Sequence, residues 1–360
     1  MTKKYGNQGR ITRQDVADHA GVSTATVSYV INGGPRNVAP KTRKKVLEAI
    51  DKLGYHPDRN AQRLTRRAWG TSVVRGQYGL IFGGGHDMIL RPYYASIIHG
   101  FFSEAERLER EIRFMQVFNI FSDPLRFNQL VHPEEITGLA MLIPSVMVLP
   151  ESIDELQQVV ARVKERVPNL VLVDNSVDGV RSVTIDRHKA AEQAIQHLCN
   201  LGHQRIAYVG SPDERLVGYQ STMEQHGYLI EEVLIRSEVI KNQTQEAYDA
   251  IQNLAKSIDV MPTAIFAATD EVAVGVYASL RDLGLNVPSE VSVVGVDDTP
   301  YAIAMMPSLT TVHIPTRQMG IEALRLLVAQ EDGNTKVATR SIELQTKLIE
   351  RNSTKDVLDR

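Results

Sequence analysis

One cysteine in 360 residues, Cys199, excludes a disulfide framework within the chain and any zinc site built on several cysteines. It sits in the run Ile195-Gln-His-Leu-Cys199, where a buried structural thiol is the ordinary reading. No apolar run approaches the roughly 20 residues that a bilayer-spanning helix needs. The opening Met1-Thr-Lys-Lys-Tyr-Gly6 is basic but lacks the apolar stretch of a signal peptide, so a cytoplasmic protein without membrane association is the expectation. His86, Asp87 and His203 show no metal-ligand spacing, and no Ser/His/Asp order stands out; neither metal, cofactor nor catalysis is expected. Gly83-Gly-Gly85 follows a strand-like run but lacks the lysine and Ser/Thr of a phosphate loop and the spacing of a dinucleotide fingerprint.

What is present is a lopsided charge. The whole chain carries only −3, yet residues 1–67 hold 14 Lys/Arg against 5 Asp/Glu, a surplus of +9 that leaves −12 on the remainder. A basic head on an acidic body points to a polyanionic partner for the head alone.

Residues Ile11–Tyr55 read as three short helices. Thr12 followed by Asp15 makes a weak capping box ahead of Val16 and Ala17. Gly21 ends that helix, since glycine takes the left-handed turn cheaply. Ser23 caps a second helix, Thr24–Ile31, with Val27, Val30 and Ile31 inward and Thr24, Ala25, Ser28 and Tyr29 outward. A third starts near Pro40 and runs to Leu53 with Val46, Leu47, Ile50 and Leu53 inward. Two helices joined by a glycine turn, the second opening on small polar residues, make a DNA-reading helix-turn-helix: a helix fits the major groove and its capped N-terminus meets phosphates.

From Tyr78 onward apolar runs alternate with amphipathic stretches. Strands are expected at 78–82, 139–143, 170–174, 205–210, 264–268 and 291–296, and helices at 94–111, 152–167 and 188–201. This is a doubly wound α/β pattern, in which ligands bind at the carboxyl ends of the strands.

The stretch Ile11-Thr-Arg-Gln-Asp-Val-Ala-Asp-His-Ala-Gly-Val-Ser-Thr-Ala-Thr-Val-Ser-Tyr-Val-Ile-Asn32 resembles the opening of the lac repressor/galactose repressor family, as does Lys41-Thr-Arg-Lys-Lys-Val-Leu-Glu-Ala-Ile-Asp-Lys-Leu-Gly-Tyr-His-Pro57. The resemblance runs to about residue 350. It implies an N-terminal all-α helix-turn-helix domain over 1–57, a hinge helix and linker over 58–77, an α/β two-lobe periplasmic-binding-protein-like effector domain over 78–345, and a tail over 346–360. The lobes would be 78–186 with 314–345, and 187–313.

By this resemblance Thr24, Ala25 and Tyr29 would touch bases. Tyr29 stands where the family's usual arginine grips guanine, so a different base preference is expected at that step. Ser23, Thr26, Ser28, Asn32, Thr42 and Arg43 would position phosphates, and Thr12 and Tyr55 are counted with them as DNA-binding. The polar segment with Arg59, Asn60 and Ala61 would fold on the operator, and paired Leu64 side chains would wedge into the minor groove. The tether between Thr65 and Gln77 is longer than usual for the family.

For the effector the resemblance offers Arg215 as a clamp on sugar hydroxyls, Asp297 and Asp174 as acceptors from opposite lobes, and Tyr94 as a wall. Asp270 is carried over with them, its alternative being a helix N-terminal acid. Thr269 replaces the family's usual asparagine. The implied function is a homodimeric repressor, bound to double-stranded operator DNA and released by a small sugar. A nucleobase corepressor or a protein co-regulator stays open, as does a solute-binding protein, against which the basic head argues.

Overall fold

The computed structural model describes residues 11–32, 38–53, 55, 76–117, 131, 136–144, 153–238, 242–333 and 340–357. The chain divides into two compact units, Met1–Val73 and Val74–Arg360.

In the first unit, α1 (Arg13–Ala20), α2 (Thr24–Asn32) and α3 (Pro40–Leu53) form the expected three helices. The capping box is complete: Asp15 N–H donates to Thr12 Oγ1 at 3.3 Å and Thr12 N–H to Asp15 Oδ2 at 2.7 Å. Gly21 takes a φ of 65° and closes α1 with its N–H on Ala17. Val16, Ala17, Val27, Val30, Val46, Ala49 and Tyr55 make the core. Two expected positions move. Leu47 is 47% exposed and Ala49 takes its place, because Val46, Ala49, Ile50 and Leu53 share one helical face and Leu47 lies about 100° from Val46. Ser28 is buried instead of outward, one position along from Val27 on the side of Ile31.

The second unit is built on two sheets. The first has the order β11-β5-β4-β3-β1-β2 and is parallel throughout: β1 (Gln77–Phe82), β2 (Glu111–Val117), β3 (Gly138–Leu142), β4 (Leu170–Val173), β5 (Arg181–Ile185) and β11 (Ile342–Leu344). The second has the order β12-β10-β9-β8-β6-β7: β6 (Ile206–Val209), β7 (Ile235–Arg236), β8 (Ala264–Ala267), β9 (Ser292–Asp297), β10 (Thr310–His313) and β12 (Lys347–Ile349), with only the β10–β12 pair antiparallel. Every residue of β3, β4, β6 and β8 is buried, as strands covered on both faces must be.

Helices α4 (His86–Ile89), α5 (Pro92–Arg107), α6 (Ile153–Arg166) and α12 (Thr316–Glu331) go with the first sheet. Helices α7 (Arg187–Asn200), α8 (Glu214–Gln225), α9 (Gln243–Ser257), α10 (Asp270–Asp282) and α11 (Pro300–Ala304) go with the second. Glycine lets α5 and α12 touch backbone to backbone: a Cβ on Gly100 would lie 2.0 Å from the Arg317 carbonyl oxygen, and one on Gly320 1.9 Å from that of Ile97. Among the described residues no helix is long and apolar enough to cross a membrane.

Two sequence expectations give way here. The helix expected over 94–111 ends at Arg107; Glu109 takes a left-handed φ of 54° and Glu111 opens β2. The segment 346–360, read as a tail, instead carries the chain back to the second sheet. There it adds β12, and Ser353 Oγ donates to the Val293 carbonyl at 2.6 Å while accepting from the Thr310 N–H at 2.7 Å. The chain therefore passes between the lobes three times, at 185–187, 313–316 and 344–347, where the sequence suggested two.

Candidate functional site

The carboxyl ends of both sheets face a cleft of about 600 Å³, a volume that takes in its open mouth and the adjoining solvent. Asp174 follows β4, Asp297 closes β9, and Arg187, Arg215 and the Pro92–Tyr94 turn open helices that leave strand ends. Most lining side chains thus come from the last residues of strands and the turns that follow them, where open α/β sheets place ligands.

Asp174 is 1% exposed and sits in the left-handed region with φ 73°. Its Oδ1 accepts from the Tyr93 hydroxyl at 2.6 Å and from Arg187 Nη2, which also donates to the Asp174 carbonyl at 3.2 Å. Its Oδ2 is enclosed with no hydrogen-bond partner among the described residues. Burial pushes the Asp174 carboxyl above the usual range, against the pull of Arg187, Tyr93 and Arg215. Arg187 belongs to the lobe opposite Asp174, so this ion pair joins the two lobes at the floor of the cleft. A second joins them nearer α10, where Arg91 Nε lies 3.5 Å from Glu271 Oε2.

Arg215 is committed before any ligand arrives. Asp213 caps α8 by accepting from the Arg215 N–H, and its carboxylate then takes Nε at 3.0 Å and Nη2 at 2.5 Å, a bidentate fork. Nη1 donates to the Ala268 carbonyl at 2.7 Å. Desolvation acts to raise the Asp213 carboxyl, but the Arg215 guanidinium holds it below the ordinary value. Asp297, with φ 120°, lines the cleft, and its carboxylate makes no side-chain hydrogen bond among the described residues. Burial, then the charge of Asp270, pushes its carboxyl well up, while Arg215 and Arg187 oppose the shift. Backbone held in such sparsely populated regions at Asp174, Asp297 and Asp298 concentrates at this one place.

The cleft brings together Asp174, Arg215, Asp297 and Tyr94 as the sequence suggested, but not Asp270. Asp270 is fully buried and both its oxygens serve the protein: Oδ2 accepts from the Thr299 N–H at 2.6 Å and hydroxyl at 2.9 Å, Oδ1 from the Thr311 hydroxyl at 2.7 Å. Its assignment as a ligand contact is corrected to its alternative, the first residue of α10. Thr269 caps that helix by accepting from the Val272 N–H, and its hydroxyl donates to Gln243 Oε1 at 2.9 Å. Desolvation lifts Asp270 to about 6 despite these hydrogen bonds. Tyr94 contributes mainly to the core, edge-on to Phe82 at 5.4 Å; its neighbour Tyr93 is the one whose hydroxyl reaches Asp174. Sequence reasoning missed Tyr93 and Arg187. The signal for Arg187 was its place directly after the first crossover strand.

On the first unit, Ser23, Thr24 and Ala25 are exposed at the start of α2, and Ser23 Oγ accepts from the Thr26 N–H at 3.2 Å. Thr12 and Arg43 are exposed; Thr26, Tyr29 and Thr42 are half-buried. Ser28 and Tyr55 are buried, so they are corrected from DNA-facing to core positions: Tyr55 follows α3 and packs back beneath it. The side chain of Asn32, and Arg59, Asn60, Ala61 and Leu64, lie outside the described residues.

Comparison with known proteins follows this division. Residues 12–58 match the model of bacterial regulatory proteins, lacI family, and residues 195–354 that of a periplasmic binding protein-like domain. The catabolite control protein A of Priestia megaterium is 34% identical over 96% of this chain and 99% of its own length. A lac repressor dimer bound to operator and the anti-inducer ONPF superposes with a TM-score of 0.73 at 25% identity, over 96% of this chain and all of that one. A complex of the transcriptional regulator CelR with cellobiose gives 0.63 at 26%, with the same coverage.

Proposed function

As a member of the lacI family of bacterial regulatory proteins, this chain is a DNA-binding regulator of transcription and not an enzyme, and we propose that it is a homodimeric repressor of carbohydrate-utilisation genes, released from its operator by a small sugar. The observation that carries the sugar reading is the cleft itself. Asp174, whose enclosed Oδ2 has no partner among the described residues, and the half-buried Asp297 face a space flanked by Tyr93 and Tyr94. Hydroxyl groups supply the donors those carboxylates need, and the C–H faces of a pyranose suit aromatic walls.

In this reading Thr24, Ala25 and Tyr29 meet base edges in the major groove. Ser23, Thr26, Thr42 and Arg43 hold phosphates and so set register. The hinge of Arg59, Asn60 and Ala61 orders on the operator, with Leu64 as the minor-groove wedge. The Asp174–Arg187 and Arg91–Glu271 pairs tie one lobe to the other, so a ligand that engages Asp174 from one side and Asp297 from the other biases the angle between lobes. That differential contact is what couples the cleft to the hinge. The lac repressor dimer and the CelR–cellobiose complex support this picture by likeness.

The test is a gel shift on DNA surrounding the protein's own gene, repeated with a panel of mono- and oligosaccharides. Release by one sugar, abolished in Asp297→Asn while that variant still binds the DNA, is the expected result. Specific binding indifferent to every sugar would overturn the effector assignment and leave the regulator.

A further inference from the structure

What a helix can read in the major groove depends on what its side chains offer a base edge. Arginine or lysine pairs with guanine through two hydrogen bonds, asparagine or glutamine with adenine, and an acid accepts from cytosine; a methyl or a ring finds only the methyl of thymine. Helix α2, Thr-Ala-Thr-Val-Ser-Tyr-Val-Ile-Asn, holds no charged residue and no glutamine. Its single amide, Asn32, closes the helix, roughly 12 Å along the axis from Thr24, whereas the N-terminal residues of such a helix contact the bases. Val27, Ser28 and Val30 are buried and Ile31 packs on the core. Thr26 is drawn into the cap, its N–H donating to Ser23 Oγ at 3.2 Å and its hydroxyl sharing a hydrogen bond with the same oxygen at 2.9 Å. That leaves the exposed Thr24 and Ala25, and the half-buried Tyr29, which lies four residues after Ala25 and so on its face. The hydroxyls of Thr24 and Tyr29 both donate and accept, so they do not tell one base from another. The cations are on a different helix: Lys41, Arg43, Lys44 and Lys45 are exposed on α3, suited to phosphates, which carry no sequence information.

We propose that the operator half-site under α2 is read through thymine methyl groups, with Thr24, Ala25 and the Tyr29 ring as the contact surface and with guanine unread by this helix. The inference rests on the assignment above of these three residues to base edges and deepens it to a class of base pair. Covering one methyl from water is worth about fourfold in affinity, less than a good pair of hydrogen bonds to guanine. Discrimination therefore builds from several thymines in the half-site and not from one anchoring guanine.

The experiment selects binding sites from a randomised duplex pool with the full-length protein. Each thymine of the selected half-site is then replaced, one at a time, by deoxyuridine, which lacks only the methyl, and affinity is read by gel shift. Uracil at two or more steps is expected to weaken binding by about fourfold each. At such a step 5-methylcytosine opposite guanine is expected to bind more tightly than cytosine. Tyr29→Arg is expected to trade thymine for guanine at one step, losing the uracil penalty there and keeping it at the others. Its melting curve and its binding to random DNA check that it folds; should it fail to fold, Ala25→Gly, which removes one methyl, is expected to abolish the uracil penalty at a single step. Thymines that tolerate uracil overturn the proposal, as does wild-type enrichment of guanine at the step that Tyr29→Arg alters. Both of these outcomes keep sequence-specific binding and sink only the methyl contacts. Selection that enriches no sequence sinks the assignment of these residues to base edges as well.

Discussion

Removing the Asp270 carboxylate distinguishes a scaffold from a ligand contact, because the two roles predict opposite readouts. Asp270→Ala strands three donors at once: the Thr299 N–H, the Thr299 hydroxyl and the fully buried Thr311 hydroxyl. The hydroxyls can rotate in search of other acceptors, but the backbone N–H cannot. At about 1–3 kcal/mol per stranded buried donor, with the hydroxyls discounted, the loss is about 2–4 kcal/mol. In a unit of this size that lowers the melting temperature by about 4–8 °C. Asp270→Asn is expected to recover most of it. The amide oxygen can face Thr299, and the amide nitrogen can donate to the Thr311 hydroxyl, which accepts as readily as it donates. Differential scanning calorimetry on the three proteins, with sugar-dependent DNA release measured alongside, gives the answer. A stable Asp270→Ala protein that has lost only its effector response would refute the reasoning and return Asp270 to the ligand.

Gly320→Ala drives a Cβ to within 1.9 Å of the Ile97 carbonyl oxygen and forces α5 and α12 apart; the expected cost is about 1–3 kcal/mol or more, read as a lower denaturation midpoint. Glu104 is held at about 2 by hydrogen bonds from Arg107, against desolvation, with Arg325 adding to the pull. A depressed carboxyl contributes stability that is present above its unfolded value of 4.5 and is lost as pH falls toward 2, so Glu104→Gln should flatten melting temperature against pH in that window; an unchanged slope counts against the ion-pair cluster. Leu64→Ala is expected to reduce DNA bending, measured by fluorescence transfer between labelled ends, while the effector unit melts as before. Operator affinity should fall steeply between 50 and 200 mM salt as counterions are released, and a flat response would mean that phosphate contacts do not dominate.

Where the sequence was legible, a strong period carried it. The capping box at Thr12, the turn at Gly21 and the alternation of apolar runs from β1 to β9 each rest on local chemistry that neighbours in space reinforce. Errors fell where tertiary contact decides. Leu47 and Ala49 both suit a helix, and only the packing of α3 on its partners chooses the smaller residue for the interior. The strand β12 is three residues long, too short for any period to announce, and exists because β10 offers it an edge. Asp174 and Asp297 were visible at strand ends, but Arg187 was not, since an arginine after a strand reads as an ordinary surface residue until the opposite lobe supplies its carboxylate. Asp213 sits two residues from Arg215 and escaped notice for a similar reason: the fork it forms depends on the turn of α8 around its cap.

The third passage of the chain between lobes has a consequence for biosynthesis. Sheet one opens with β1 at residue 77 but gains its outer strand, β11, only at residues 342–344; sheet two waits for β12 at 347–349. Pairings that distant in sequence form slowly, after the intervening loop has been closed. Neither lobe can complete its sheet while the ribosome still holds the last stretch of message. A truncated product would carry a finished DNA-reading head on two sheets with bare edges, the kind of edge that invites aggregation. The order of the strands thus links completion of both lobes to completion of the whole polypeptide.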